Sequence, residues 1–169
     1  VEKLVADELK KLKMEQVQAE NGRVCCVGTL LDVARLNLNL RCGARVLVVL
    51  GEFSAISFEE LYQGTYAIPW QDWIPKEGEF PVKGYSINSQ LFSIPACQSI
   101  IKKAVSAKLG QVYGVEWLPE TGSRYQIQFS IMKDTVSLCL DTSGSGLYKR
   151  GYRAVGVEAP LRETLAAAM

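Results

Sequence analysis

The 169-residue chain contains no histidine, which removes the side chain most often used as a general base near neutral pH and the commonest metal ligand. Ser-His and Cys-His mechanisms are excluded with it. The five cysteines, Cys25, Cys26, Cys42, Cys97 and Cys139, include no C-x-x-C pair. Each lies in an apolar stretch, where a free thiol behaves as a small hydrophobe. Zinc binding, a disulfide scaffold and thioredoxin-type redox chemistry are not expected, and the compartment implied is reducing, hence cytoplasmic. The longest apolar run, Val46 to Leu50, is far short of the roughly 20 residues needed to cross a bilayer. No charged-then-apolar leader opens the chain, so a soluble, untargeted protein without membrane contact is expected.

What remains is an ordinary globular composition, 48% hydrophobic and 22% charged, sufficient for one full core or two small ones. The net charge of +1 is unevenly spread. Residues 1 to 80 carry 9 basic and 12 acidic side chains, and residues 81 to 169 carry 10 and 6. A polyanion is the natural partner for the second half, although a solvated surface can show the same imbalance.

Leu4, Val5, Leu9 and Leu12 share one face of a helical pattern, with Lys3, Asp7, Lys10 and Lys11 opposite. Asn21-Gly22 between two short runs predicts a hairpin in which both turn residues take positive φ. Thr29 and Asp32 predict a helix start, although Leu36, Leu38 and Leu40 also alternate as a strand would. Arg45 to Phe53 is a mostly apolar strand. The order helix, strand, strand, helix, strand, with one strand restored before Val1, is that of a split βαβ, ferredoxin-like unit. Ser57 and Glu60 form a capping box that opens a short helix through Tyr62. A strand over 80–88 follows, then a helix from Pro95 closed by Gly110 with Cys97, Ile100, Ile101, Ala104 and Val105 inward. Strict alternation marks strands over 125–131 and 135–141, joined by Lys133-Asp134; Thr142 onward reads as flexible, and Pro160 opens a last helix over 161–169.

Gly144-x-Gly146 does not form a nucleotide loop. Lys149 stands where a dinucleotide fingerprint needs its third glycine, and Tyr152 where a P-loop needs lysine. Tyr148-Lys-Arg-Gly-Tyr-Arg153 holds three cations, two tyrosines and no acid, which suits phosphate neutralisation and base stacking as well as it suits a solvated loop. Trp70, Trp73 and Trp117 sit near prolines and are expected to pack a core rim. Neither a KH loop nor an RNP signature is present.

Three segments carry a family resemblance. Phe80-Pro-Val-Lys-Gly-Tyr-Ser-Ile-Asn-Ser-Gln-Leu-Phe-Ser-Ile-Pro-Ala-Cys-Gln-Ser-Ile-Ile-Lys-Lys-Ala104, Leu140-Asp-Thr-Ser-Gly-Ser-Gly-Leu-Tyr-Lys-Arg-Gly-Tyr-Arg153 and Ala159-Pro-Leu-Arg-Glu-Thr-Leu-Ala-Ala-Ala168 resemble the N-terminal region of THUMP-containing RNA methyltransferases. Members have also been described as N6-adenine-specific DNA methylases. The resemblance implies an α+β fold: a ferredoxin-like domain over 1–54 lacking its first strand, an α/β THUMP domain over 55–142, a basic linker over 143–158, and at 159–169 the first helix of a Rossmann-like methyltransferase domain that is otherwise missing. It implies S-adenosylmethionine (SAM) as cofactor of the parent protein. This chain has neither a G-x-G-x-G cofactor loop nor an Asn/Asp-Pro-Pro-Tyr tetrapeptide, so no cofactor, metal or catalytic residue is expected in it. Tyr148 stands where relatives usually carry histidine.

The implied partner is structured RNA, large-subunit ribosomal RNA or tRNA, methylated on guanine by the parent. The expected contact residues are Lys83, Tyr85, Ser89, Gln90, Lys102 and Lys103 in one part, and Lys149, Arg150, Tyr152 and Arg153 in another. The alternative is a ferredoxin-like module that binds protein or a small ligand, because fold does not decide function.

Overall fold

A computed structural model describes residues 1–151 and 160–169. The chain is a mixed α/β protein made of two compact units, one formed by 1–46 with 142–169 and the other by 47–141.

In the first unit, helix α1 (Glu2–Lys11) leads into the antiparallel hairpin of β1 (Glu15–Glu20) and β2 (Arg23–Val27). Gly22 takes φ +78° while Asn21 stays outside the left-handed region, so one glycine is enough to turn the chain where two positive-φ residues were expected. Helix α1 buries Ala6 and Leu9, with Val5 and Leu12 packed beside them. Leu4, assigned to the same face by periodicity, is 43% exposed. Helix α2 (Leu30–Asn39) starts on a reciprocal capping box: Thr29 Oγ1 accepts the Asp32 N–H and the Asp32 carboxylate accepts the Thr29 N–H. That local pairing decides for helix at the segment whose leucines also alternate. Leu9, Met14, Leu36, Leu40, Val46 and Leu147 form the small core.

Residues 142–151 are pinned, not loose as the glycines and serines suggested. Thr142 Oγ1 donates to the Val46 carbonyl, Ser143 Oγ to Asn37 Oδ1, and the Leu147 N–H to the Ala44 carbonyl. The last helix, α5, spans Glu163–Ala168.

In the second unit, strands β3 (Leu47–Ser54), β4 (Val82–Ile87), β5 (Ile127–Met132) and β6 (Thr135–Asp141) form one sheet in the order β3-β6-β5-β4. Only β4 and β5 run parallel, as expected when a helix connects them. The strand assigned to the first domain by its position in the chain therefore hydrogen-bonds in this sheet, antiparallel to β6. Helix α3 (Phe58–Ala67) starts on the Ser57–Glu60 capping box and runs five residues past Tyr62. Helix α4 (Ile94–Tyr113) has Pro95 in its first turn and continues through Gly110 to a left-handed cap at Gly114, φ +64°. Gly110 tolerates the helix, and Gly114 is the residue that needs the conformation other side chains avoid.

Both helices cover one face of the sheet. Leu61, Cys97, Ile101, Val105 and Leu109 pack there against Ile127, Phe129, Ile131, Val136 and Leu138. Trp70 is fully buried and donates its indole N–H to the Thr65 carbonyl, whereas Trp117 is 83% exposed and is not a core-rim residue. No helix of the described residues is long and apolar enough to cross a membrane.

Candidate nucleic-acid interface

Alternation along β4 sets the geometry. Val82, Gly84 and Ser86 are half-buried, while Lys83, Tyr85 and Ile87 are exposed. Strand β4 can lie this close to β5 because residue 84 is glycine: a Cβ there would strike the carbonyl oxygen and ring of Phe129. Lys83 and Tyr85 thus stand on the face opposite the one packed by α3 and α4, and Tyr85 is 44% exposed.

Ser89 and Gln90 follow in the β4–α4 loop, and their hydrogen bonds shape it. Ser89 Oγ donates to the Ile87 carbonyl (3.0 Å) and accepts the Asp134 N–H (3.0 Å), while Asp134 Oδ1 accepts the Gln90 N–H (2.7 Å). The loop is braced against the β5–β6 turn, where Lys133 and Asp134 both have positive φ, 50° and 62°.

Lys102 and Lys103 lie on α4, in the helix layer. Lys102 is already engaged: its Nζ is 2.5 Å from Glu120 Oε2, 3.1 Å from the Phe80 carbonyl oxygen and 3.6 Å from the centre of the Phe80 ring. Lys103 is exposed. Lys83 and Tyr85 thus stand on the helix-free face of the edge strand β4, and Lys102 and Lys103 on the helix that packs its other face, with Lys102 reaching the strand's edge at Phe80.

The second cluster divides as well. Lys149 is exposed, 5.8 Å from the Tyr148 ring, which also lies 5.4 Å from the Arg162 guanidinium. Arg150 turns inward. Its guanidinium donates to the Asn37 and Leu38 carbonyls at 3.3 and 3.0 Å and to the Leu40 carbonyl, so it satisfies the open C-terminal end of α2. Tyr152 and Arg153 lie outside the described residues.

Burial raises the thiols of Cys26, Cys42 and Cys97 above their ordinary values, the condition of an unreactive cysteine. A cavity of about 410 Å³ in the first unit is lined by Arg41, Leu147, Arg150, Glu163, Thr164, Ala166 and Ala167. Among the described residues its lining includes neither a glycine-rich turn nor an aromatic ring. Two exposed aromatics were missed from sequence, Trp117 and Phe92, the latter 82% exposed on the braced loop. Neither shows a periodic signal.

Residues 55–141 match the THUMP domain family and residues 1–47 the RlmL ferredoxin-like domain. YpsC of Bacillus subtilis (strain 168) is 44% identical over 171 residues, covering 100% of this chain and 44% of that protein. The ribosomal RNA large subunit methyltransferase K/L of Syntrophotalea carbinolica is 33% identical over 173 residues, covering 100% of this chain and 24% of that protein. The crystal structure of SMU.472 complexed with SAH superposes with a TM-score of 0.91 at 42% identity, covering 99% of this chain and 44% of that one. The chain thus spans less than half the length of each of these relatives.

Proposed function

From the premise that this chain belongs to the THUMP domain family, joined to an RlmL-type ferredoxin-like domain, we propose that it is the RNA-binding, substrate-positioning portion of a SAM-dependent RNA methyltransferase. The guanine of a ribosomal RNA or tRNA is the target of the longer protein, and this portion catalyses nothing. The observation that carries the reading is the exposed Lys83–Tyr85 pair on the helix-free face of the sheet. A cation beside an aromatic ring is the pairing that RNA, with phosphates and unpaired bases, can satisfy at once. Lys103 and Lys149 supply further exposed positive charge.

The cofactor belongs to the longer protein. SAH is the demethylated product of SAM, and its presence in the SMU.472 structure supports that assignment. SAM supplies the methyl group, and no side chain described here is arranged to receive it.

The test is binding of the purified chain to ribosomal RNA fragments and tRNA across a salt series, with SAM titrated by calorimetry into the same sample. Expected are an affinity that falls steeply with salt and no cofactor uptake. Affinity indifferent to salt, or SAM bound by this chain alone, overturns the reading.

A further inference from the structure

We propose that the open face of the second unit's sheet is a single-nucleotide stacking platform, centred on Tyr85, that takes unpaired RNA and rejects duplex. This rests on the RNA-binding reading above and specifies which RNA feature is held and where.

The register of the sheet places the residues. Lys83 pairs with Gln128, Tyr85 with Ser130 and Ile87 with Met132. Successive rows therefore present a cation, an aromatic ring and an apolar strip along β4 and β5. Lys133 follows Met132 directly and donates its N–H to the Ile87 carbonyl at 3.3 Å, so a second exposed cation lies at the far end of the strip. Neither Lys83 nor Lys133 makes an ion pair among the described residues. Asp134 holds the Gln90 N–H and Asp141 accepts the Gln128 amide at 3.1 Å, while the exposed Glu52 lies in the row of Tyr85 on the far strand β3, beyond Ser130 and Ser137. Along β4 and its continuation past β5 the exposed charges are thus the cations Lys83 and Lys133, with the nearest exposed carboxylate of the Tyr85 row on the far strand β3.

The spacing selects the ligand. Rows on one face of a strand repeat every two residues, about 6.6 Å, whereas stacked bases are about 3.4 Å apart. A base lying on Tyr85 is therefore separated from its neighbour by a full row, and the RNA must be splayed there. Duplex RNA keeps its bases stacked and shows proteins its backbone and shallow groove, leaving no ring face for a tyrosine. A stacking contact of this kind is sequence-tolerant because every base has a π-face. The platform is also held in shape before RNA arrives, by the close packing of Gly84 on Phe129 and by the Ser89–Asp134–Gln90 brace at the end of β4.

The experiment measures fluorescence anisotropy of a labelled unpaired RNA oligomer, and of the same oligomer annealed to its complement, with wild type, Tyr85→Ala, Tyr85→Phe and Lys83→Gln. Circular dichroism melts confirm that each variant folds. Tyr85→Ala is expected to weaken binding to the unpaired oligomer about tenfold without changing its salt slope, and to leave duplex binding unaltered. Tyr85→Phe keeps the affinity, and Lys83→Gln lowers the magnitude of the salt slope by about 0.7. Wild-type RNA binding unaffected by Tyr85→Ala, or weakened equally for both oligomers, overturns the platform while leaving the RNA-binding reading in place. No wild-type affinity for either oligomer at low salt overturns both.

Discussion

Lys102 reaches from α4 to Glu120, its Nζ 2.5 Å from the carboxylate oxygen, and so closes the loop after α4 onto the edge of the sheet. The Phe80 carbonyl and ring complete the ammonium's surroundings. With both side chains about one-third exposed, at 35% and 30%, a pair of this kind contributes about 1 kcal/mol, the cation–π contact included. Lys102→Ala is expected to lower the melting temperature by about 3 °C and to leave RNA affinity within twofold. Lys103→Ala should show the reverse pattern. Thermal melts and anisotropy on the two variants separate the roles, and a Lys102 variant that loses RNA affinity at unchanged stability would show that the tether opens to bind.

Arg150 makes a parallel case in the first unit. Its three carbonyl partners at the end of α2 are 110 to 113 residues away in sequence. Lysine cannot reproduce the planar fork, so Arg150→Lys is expected to destabilise the unit by about 1 to 2 kcal/mol and to speed amide exchange in α2. Lys149→Gln should change neither and should reduce only RNA binding. Hydrogen-exchange mass spectrometry decides, since unchanged protection in α2 for Arg150→Lys would remove the capping role.

These two residues show where sequence reading stops. The capping boxes at Thr29–Asp32 and Ser57–Glu60 span three residues, and the alternation of β5 is internal to the strand, so all were legible. Lys83 and Tyr85 were legible too, because period two places them together on one face. Lys102 and Arg150 look like free cations until their acceptors, 18 and more than 100 residues distant, are folded beside them. The partner of β3 is likewise set by β6, beyond any local signal, and α4 was ended early because Gly110 resembles the cap that Gly114 provides.

The Thr29 N–H and hydroxyl hydrogen-bond to the Asp32 carboxylate and hold it below the usual carboxylate range, with Arg35 adding to the effect. A carboxyl lowered in the folded state contributes stability that is complete above its unfolded value, about pH 4, and disappears as pH falls through the folded value. Wild type should therefore lose melting temperature between pH 5 and pH 2 more steeply than Asp32→Asn, with the two curves parallel above about pH 5. Parallel curves throughout would mean that the capping box does not survive in solution.

Burial raises the Cys26, Cys42 and Cys97 thiols, and Cys97 is fully buried in the larger core. Iodoacetamide at neutral pH is expected to leave Cys97 unlabelled for as long as the protein stays folded, and to label it within minutes in denaturant. Peptide mapping after a short pulse provides the measurement, and early labelling of Cys97 would mean that α4 detaches readily from the sheet.

Gly84 links the fold to the proposed platform most directly. It pairs with Phe129 across the parallel β4–β5 ladder, and an added methyl group would meet both the Phe129 carbonyl and its fully buried ring. The carbonyl cannot withdraw without breaking the ladder, so truncating the ring does not relieve the contact. Gly84→Ala is expected to cost about 2 to 3 kcal/mol, read as a lower urea midpoint at unchanged slope, and adding Phe129→Leu should not restore it. The clash exists only if residue 84 points at the helices. If Gly84→Ala melts like wild type, the alternation of β4 is out of register, and Lys83 and Tyr85 then face the core layer instead of the open face on which RNA would lie.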